Sequence, residues 1–107
     1  MIYELRSYEV VPGRMPVLHA RFQTHTLAFF AKHGIRVVGF WEAMVGTSNV
    51  LHYLLAFDDL AHRQRSWTAF GSDPEWLRAR AETERDGPIV ARVRNEFWQP
   101  TSYSPMQ

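Results

Sequence analysis

The chain has no cysteine among its 107 residues. That absence excludes disulfides, thiolate metal sites and a cysteine nucleophile, and it suits a reducing compartment. Neither sign of charge is in excess, with 12 Lys and Arg against 11 Asp and Glu and a net charge of +1. A chain so balanced carries no electrostatic footprint for nucleic acid or for an anionic membrane surface. Long apolar runs are also missing, so no segment reaches the length of a bilayer crossing. The opening residues Met1-Ile2-Tyr3-Glu4-Leu5-Arg6 put charges where a secretion signal needs its apolar stretch. The expectation is a cytoplasmic protein that begins directly with structure, with one domain over 1–107: a core unit over 1–99 and a C-terminal arm over 100–107.

Metal and cofactor motifs are equally scarce. His19, His25 and His33 fall on one expected helix, yet at 100° per residue the first two diverge by about 240°, and the outer two lie about 20 Å apart along the axis. No i, i+4 histidine pair exists, so no metal is expected. Nucleophile signatures and phosphate loops are absent as well, and no cofactor is expected. For haem, His52 is the one histidine placed on a strand and would be the candidate axial ligand; a hydrogen-bonded core histidine explains it more simply.

What the chain does have is hydrophobic material, 46% of the sequence, concentrated in a long hairpin. Ile35 to Val45 reads as one strand, Gly46-Thr47-Ser48-Asn49 as the turn, and Val50 to Phe57 as its partner. Alternation puts Ile35, Val37, Gly39, Trp41 and Ala43 on one face and Val38, Phe40 and Met44 on the other. In the partner, Leu51, Tyr53, Leu55 and Phe57 oppose Val50, His52, Leu54 and Ala56. Neither face is polar, so both need cover.

The rest of the chain offers cover for one face. Residues 2 to 10 form a first strand in which Tyr3, Leu5 and Ser7 oppose Ile2, Glu4, Arg6, Tyr8 and Val10. Val11-Pro12-Gly13 ends it, and a helix over 15–32 follows with Met15, Leu18, Phe22 and Phe29 at helical spacing, stopping at Gly34. After the hairpin, Asp58 or Asp59 caps a helix carrying Leu60, Trp67 and Phe70, with His62, Arg63, Gln64 and Arg65 mostly on its wet side. Gly71-Ser72 breaks it and Asp73-Pro74 starts another that runs to about Arg85. Ile89 to Gln99 is the last strand, with Val93, Asn95 and Phe97 opposing Arg92, Arg94, Glu96 and Trp98. The order strand, helix, strand, strand, helix, strand defines an α+β class of ferredoxin-like, split βαβ type, a four-stranded antiparallel sheet with its helices on one face. The other face, carrying Trp41 or Phe40, is left bare, and a homodimer closed through that face, with a cavity between the paired sheets, is the expected partner arrangement.

Ile2-Tyr3-Glu4-Leu5-Arg6-Ser7-Tyr8, Pro12-Gly13, His33-Gly34-Ile35, Val38-Gly39-Phe40-Trp41, Ser72-Asp73-Pro74-Glu75-Trp76 and Pro100-Thr101-Ser102-Tyr103-Ser104-Pro105 together resemble the NIPSNAP family over nearly the whole chain. The resemblance implies a dimeric α+β barrel and no settled activity. By analogy of fold alone, cofactor-independent monooxygenases and isomerases use similar paired barrels.

The candidate binding residues are Glu4, Arg6, Tyr8, Trp41, His52, Arg94 and Trp98, read as lining the cavity between paired sheets. Their chemistry suits a small, partly apolar molecule with an anionic or carbonyl oxygen. A carboxylate or histidine can move a proton, and arginine can hold the oxygen. A non-catalytic module, in which Glu4 and Arg6 merely neutralise Arg94 and Glu96 across the sheet, is the competing expectation.

Overall fold

A computed structural model describes all residues from Met1 to Gln107. The elements are β1 (Ile2–Val10), α1 (Met15–Arg21), a π-helical turn (Phe22–Thr26), α2 (Leu27–Lys32), β2 (Arg36–Glu42), β3 (Val50–Phe57), α3 (Leu60–Gly71), α4 (Pro74–Thr83) and β4 (Val90–Trp98). They form one four-stranded sheet in the order β2-β3-β1-β4, with every neighbour antiparallel. This is the expected α+β, ferredoxin-like arrangement. No helix is long and apolar enough to cross a membrane.

Local chemistry accounts for the helix limits. Asp59 accepts a hydrogen bond from the backbone N–H of His62 at 2.7 Å, and Asp73 accepts one from that of Glu75 at 3.0 Å, so each caps the helix that follows. Gly34, at φ +72°, stops α2 in a conformation that favours glycine.

The expected first helix is continuous but not uniformly α-helical, and its spacing explains why. Its buried side chains include Leu18, Phe22, Thr26 and Phe30, each four residues from the last. On a pure α-helix that series drifts about 40° per step. The wider π turn absorbs part of the drift and keeps Leu18 and Phe30 on one core-facing stripe. Phe30, not the expected Phe29, is the core residue, and Phe29 instead meets the Trp76 ring at 5.9 Å.

Sheet register sorts the side chains. The rows Phe40–Tyr53–Arg6–Asn95, Val37–Leu55–Glu4–Phe97 and Glu42–Leu51–Tyr8–Val93 belong to the face under the helices. Trp41–His52–Ser7–Arg94 and Gly39–Leu54–Leu5–Glu96 belong to the opposite, bare face. A bulge between Val37 and Gly39 breaks the strict alternation expected for β2. Val37 and Phe40 therefore share the helix side although their numbers have opposite parity. The strand also ends at Glu42 rather than Val45, leaving Met44 and Val45 fully exposed at the hairpin tip.

The core lies between helices and sheet, built from Leu18, Phe22, Phe30, Ile35, Tyr53, Leu55, Phe57, Phe70, Trp76 and Ile89 with their neighbours. Tyr53 is its centre, in ring contact with Phe22, Phe30, Phe40 and Tyr8. On the bare face the Trp41 ring lies over Gly39, so close that a Cβ there would sit 2.8 Å from the indole. Trp41 is 53% exposed and Trp98 46%. The C-terminal arm turns back on itself through the Gln107 side-chain amide, which donates to the Thr101 and Ser104 carbonyls. The Tyr3 hydroxyl tethers it by donating to the Gln107 carbonyl at 2.8 Å, while Tyr103 remains 86% exposed.

Candidate functional site

Two charged residues on the helix side of β1, Glu4 and Arg6, are buried and would be costly there unless paired. Glu4 is fully buried, and four hydrogen bonds hold its carboxylate. Arg63 of α3 donates through Nε at 2.9 Å and Nη2 at 3.0 Å, Arg6 through Nη1 at 2.9 Å, and Asn95 of β4 through Nδ2 at 3.0 Å. Burial alone would raise the Glu4 pKa, but the bonds from Arg63, Asn95 and Arg6 outweigh it and hold the carboxyl below its ordinary range. Glu4 is thus an ionised anchor for two guanidinium groups.

Arg6 extends this network toward an opening. Its Nε donates to the Tyr53 hydroxyl at 2.8 Å, and that hydroxyl donates to the Tyr8 hydroxyl at 2.7 Å. The direction follows from the chemistry. Tyr53 already accepts from Arg6, its side chain is fully buried, and Tyr8 is the acceptor its own proton meets. Burial, then the proximity of Tyr8, pushes the Tyr53 pKa well up, so Tyr53 stays a neutral donor. Tyr8 accepts from Tyr53 and keeps its own proton for another acceptor. Arg6 Nη2 makes no direct hydrogen bond within the chain, though the neighbouring Tyr8 hydroxyl helps to hold the Arg6 charge, and it is not a fully buried orphan, since Arg14 Nε is the single buried side-chain nitrogen or oxygen left unpartnered.

Both free donors belong to residues lining a cleft of about 370 Å³ between β1 and β4 on one side and α3 and α4 on the other. Its apolar walls include Trp67, Phe70 and Trp76, and the Arg6 guanidinium lies 4.3 Å from the Trp67 ring centroid. Three arginine side chains, Arg6, Arg21 and Arg80, line it against one carboxylate, Glu84, while Arg92 at its rim pairs with Glu9 at 3.3 Å on the opposite sheet face. The volume suits a small ligand, and the charge balance favours an anion. No cluster of three or more histidine, aspartate or glutamate side chains could hold a metal.

The seven residues expected in one inter-sheet cavity are divided by the sheet. Glu4, Arg6 and Tyr8 face the helices, whereas Trp41, His52, Arg94 and Trp98 lie on the bare face. Pairing of Arg6 with Asn95 sets Arg94 opposite Ser7, and a shift of one residue is all that separates the two faces. The expected neutralisation of Glu4 by Arg94 therefore does not occur, and Arg63, assigned to a wet helix face, takes that role. His52 pairs with Ser7 at 2.8 Å as a hydrogen-bonded sheet residue. Sequence reasoning missed Tyr53, Arg63 and Asn95 in the network, and Arg21, Trp67, Trp76 and Glu84 in the cleft. Asn95 carried a signal, as the one polar residue in the apolar row Val93-Asn95-Phe97.

A four-stranded antiparallel sheet with helices on one face, enclosing an arginine-rich and aromatic cleft, defines an α+β protein of the ferredoxin-like class with one solvent-facing sheet surface. The NIPSNAP family pattern matches residues 3–105, and the chain belongs to that family. It is 26% identical over 106 residues to Protein NipSnap homolog 1 of Danio rerio, covering 99% of this chain and 36% of the zebrafish protein. The chain thus spans about a third of the length of that relative. A NIPSNAP domain protein from Burkholderia xenovorans superposes with a TM-score of 0.86 at 25% identity, covering 98% and 99% of the two chains. A NIPSNAP family protein of unknown function from Agrobacterium tumefaciens gives 0.88 at 24% identity, covering 100% and 94%. A putative antibiotic biosynthesis monooxygenase from Chloroflexus aurantiacus, at TM-score 0.55 and 15% identity over the whole of both chains, shares the fold.

Proposed function

We propose that this NIPSNAP domain binds a small molecule with a planar apolar body and an oxygen acceptor in the cleft between β1/β4 and α3/α4, and that it works as a homodimer closed through the bare sheet face. The observation that carries the binding reading is the pair of unused donors at the cleft, the Tyr8 hydroxyl and Arg6 Nη2, backed by the Tyr53 and Glu4 hydrogen bonds. Donors fixed in this way lose little freedom when a ligand oxygen arrives. Trp67, Phe70 and Trp76 offer the flat surface for its body.

6-Hydroxy-2-naphthoate, titrated calorimetrically, tests the reading. Arg6→Met is expected to weaken binding at least tenfold, because it removes a charged donor. Tyr8→Phe is expected to weaken it several-fold, and both variants keep the fold, since Glu4 retains Arg63 and Asn95. No binding by the parent protein, or equal binding by all three proteins, refutes it. The dimer reading is supported by Trp41 and Trp98, half-exposed on a sheet face that the helices leave uncovered. Light scattering is expected to give twice the chain mass, and Trp41→Glu to give the monomer; a stable monomer at micromolar concentration overturns it.

A further inference from the structure

Glu84 occupies an unfavourable place. It is the C-cap residue of α4, where the helix dipole presents its negative end and disfavours an acidic side chain. Two arginines hold it there. Arg21, buried on α1, donates to Glu84 Oε1 at 3.2 Å, and Arg80 Nε lies 3.7 Å from the same oxygen. The partners are unequal in freedom: the Arg21 side chain is 7% exposed and stacks toward the Trp76 ring at 5.9 Å, whereas Glu84 is 27% exposed. All three residues line the same cleft as Arg6 and Tyr8. A fixed guanidinium whose carboxylate is about a quarter exposed, at the wrong end of a helix, is a receptor for acid already filled by the protein's own.

We infer that the ligand of this cleft is a compact planar acid, whose carboxylate takes Arg21 and Arg80 in place of Glu84 while a second oxygen meets Tyr8 and Arg6. The inference rests on the cleft reading above and adds the chemical class: an aromatic or conjugated carboxylic acid carrying a hydroxyl or carbonyl group. Displacement of Glu84 leaves it solvated beyond the helix end, and a ligand carboxylate can accept from Arg21 without a helix dipole against it. Neutral molecules of the same shape gain nothing at this point, because they leave Glu84 where it is. Cations are disfavoured by the three neighbouring arginines Arg6, Arg21 and Arg80.

The experiment compares 2-naphthol with 6-hydroxy-2-naphthoate by calorimetry on the full chain, with Glu84→Gln and Arg21→Gln. The acid is expected to bind the parent protein more tightly than the naphthol. Glu84→Gln is expected to strengthen the acid about tenfold, since the competing carboxylate is gone, and to leave the naphthol within twofold. Arg21→Gln is expected to remove the advantage of the acid. Loss of binding of both compounds in the parent protein overturns the cleft reading and the inference with it. Binding of both that depends on Arg6, but with the acid unchanged or weakened in Glu84→Gln, overturns the inference alone. Should Arg21→Gln fail to fold, Arg80→Gln replaces it, and an unchanged advantage of the acid in that variant counts against the inference.

Discussion

Glu4→Gln changes one atom in the middle of the buried network and reads its energetics directly. The carboxylate holds two guanidinium groups and one amide through four bonds of 2.9 to 3.0 Å. Glutamine keeps the shape but loses the charge, and its NH2 group must point at one of the donors it replaces. Removing one partner of a buried ion pair costs about 3 to 5 kcal/mol. The lower end applies here, because the amide oxygen still accepts from Arg63 or Arg6 and neighbouring hydroxyls remain for Arg6. A loss of about 3 kcal/mol, at a urea dependence of about 1.5 kcal/mol/M, moves the unfolding midpoint down by about 2 M. pH supplies the internal control. The folded-state pKa of Glu4 lies below its ordinary value of 4.5, so its contribution is complete above that value and disappears as pH falls through the folded value. Parent and variant midpoints are therefore expected to be well separated at pH 7 and to converge in strong acid. Equal midpoints at pH 7, or a gap that does not close in acid, refute the account of Glu4 as an ionised anchor.

Gly39→Ala drives a Cβ to 2.8 Å from the Trp41 indole, so the ring is expected to swing off the sheet, with a shift in tryptophan emission and a loss of about 1 kcal/mol; unchanged emission refutes the contact. Asp73→Ala removes the cap of α4 together with bonds from Lys32 Nζ at 2.8 Å and His33 Nε2 at 2.7 Å. Its melting temperature is expected to fall at neutral pH. Bonds first from Lys32 and then from His33 hold the Asp73 pKa far below the ordinary carboxylate range, so the difference persists down to pH 4 and fades only in stronger acid.

The fold was legible because its signals are local and repeated. Asp59 and Asp73 as caps, Gly34 as a stop and the period-two rows of β1 and β3 each point to the same ferredoxin-like order, whatever their neighbours do. The site was half legible. That Glu4, Arg6 and Tyr8 share a face follows from alternation within one strand, but which of the two sheet faces they occupy depends on where the helices land. The placement of Arg94 depended on pairing between strands 80 residues apart in the chain, where a slip of one residue exchanges the faces. The β2 bulge at Val38 hid the face of Trp41 for the same reason. Arg63 was misplaced because a charged side chain on a helix reads as solvated, and nothing within α3 announces a carboxylate waiting on β1. Glu84 and Arg21 meet across 63 residues, beyond the reach of any local pattern.

A network this polar invites the question of why it persists where leucine would pack. Buried ion pairs replaced together by apolar residues of similar volume commonly leave a protein as stable or more so by 1 to 4 kcal/mol. If Glu4, Arg6 and Arg63 served the fold alone, the triple change Glu4→Leu, Arg6→Met and Arg63→Met would be neutral or stabilising with no other consequence. The geometry argues for a consequence. The Tyr53 hydroxyl would lose the Arg6 donor, and the cleft would lose the guanidinium on Trp67. The expected result is a chain that unfolds at the same urea concentration or higher, yet no longer distinguishes hydroxynaphthoate from solvent. A triple variant that binds the compound as the parent does refutes the assignment of this network to a site, and one that fails to fold at all refutes the premise that apolar packing can replace it.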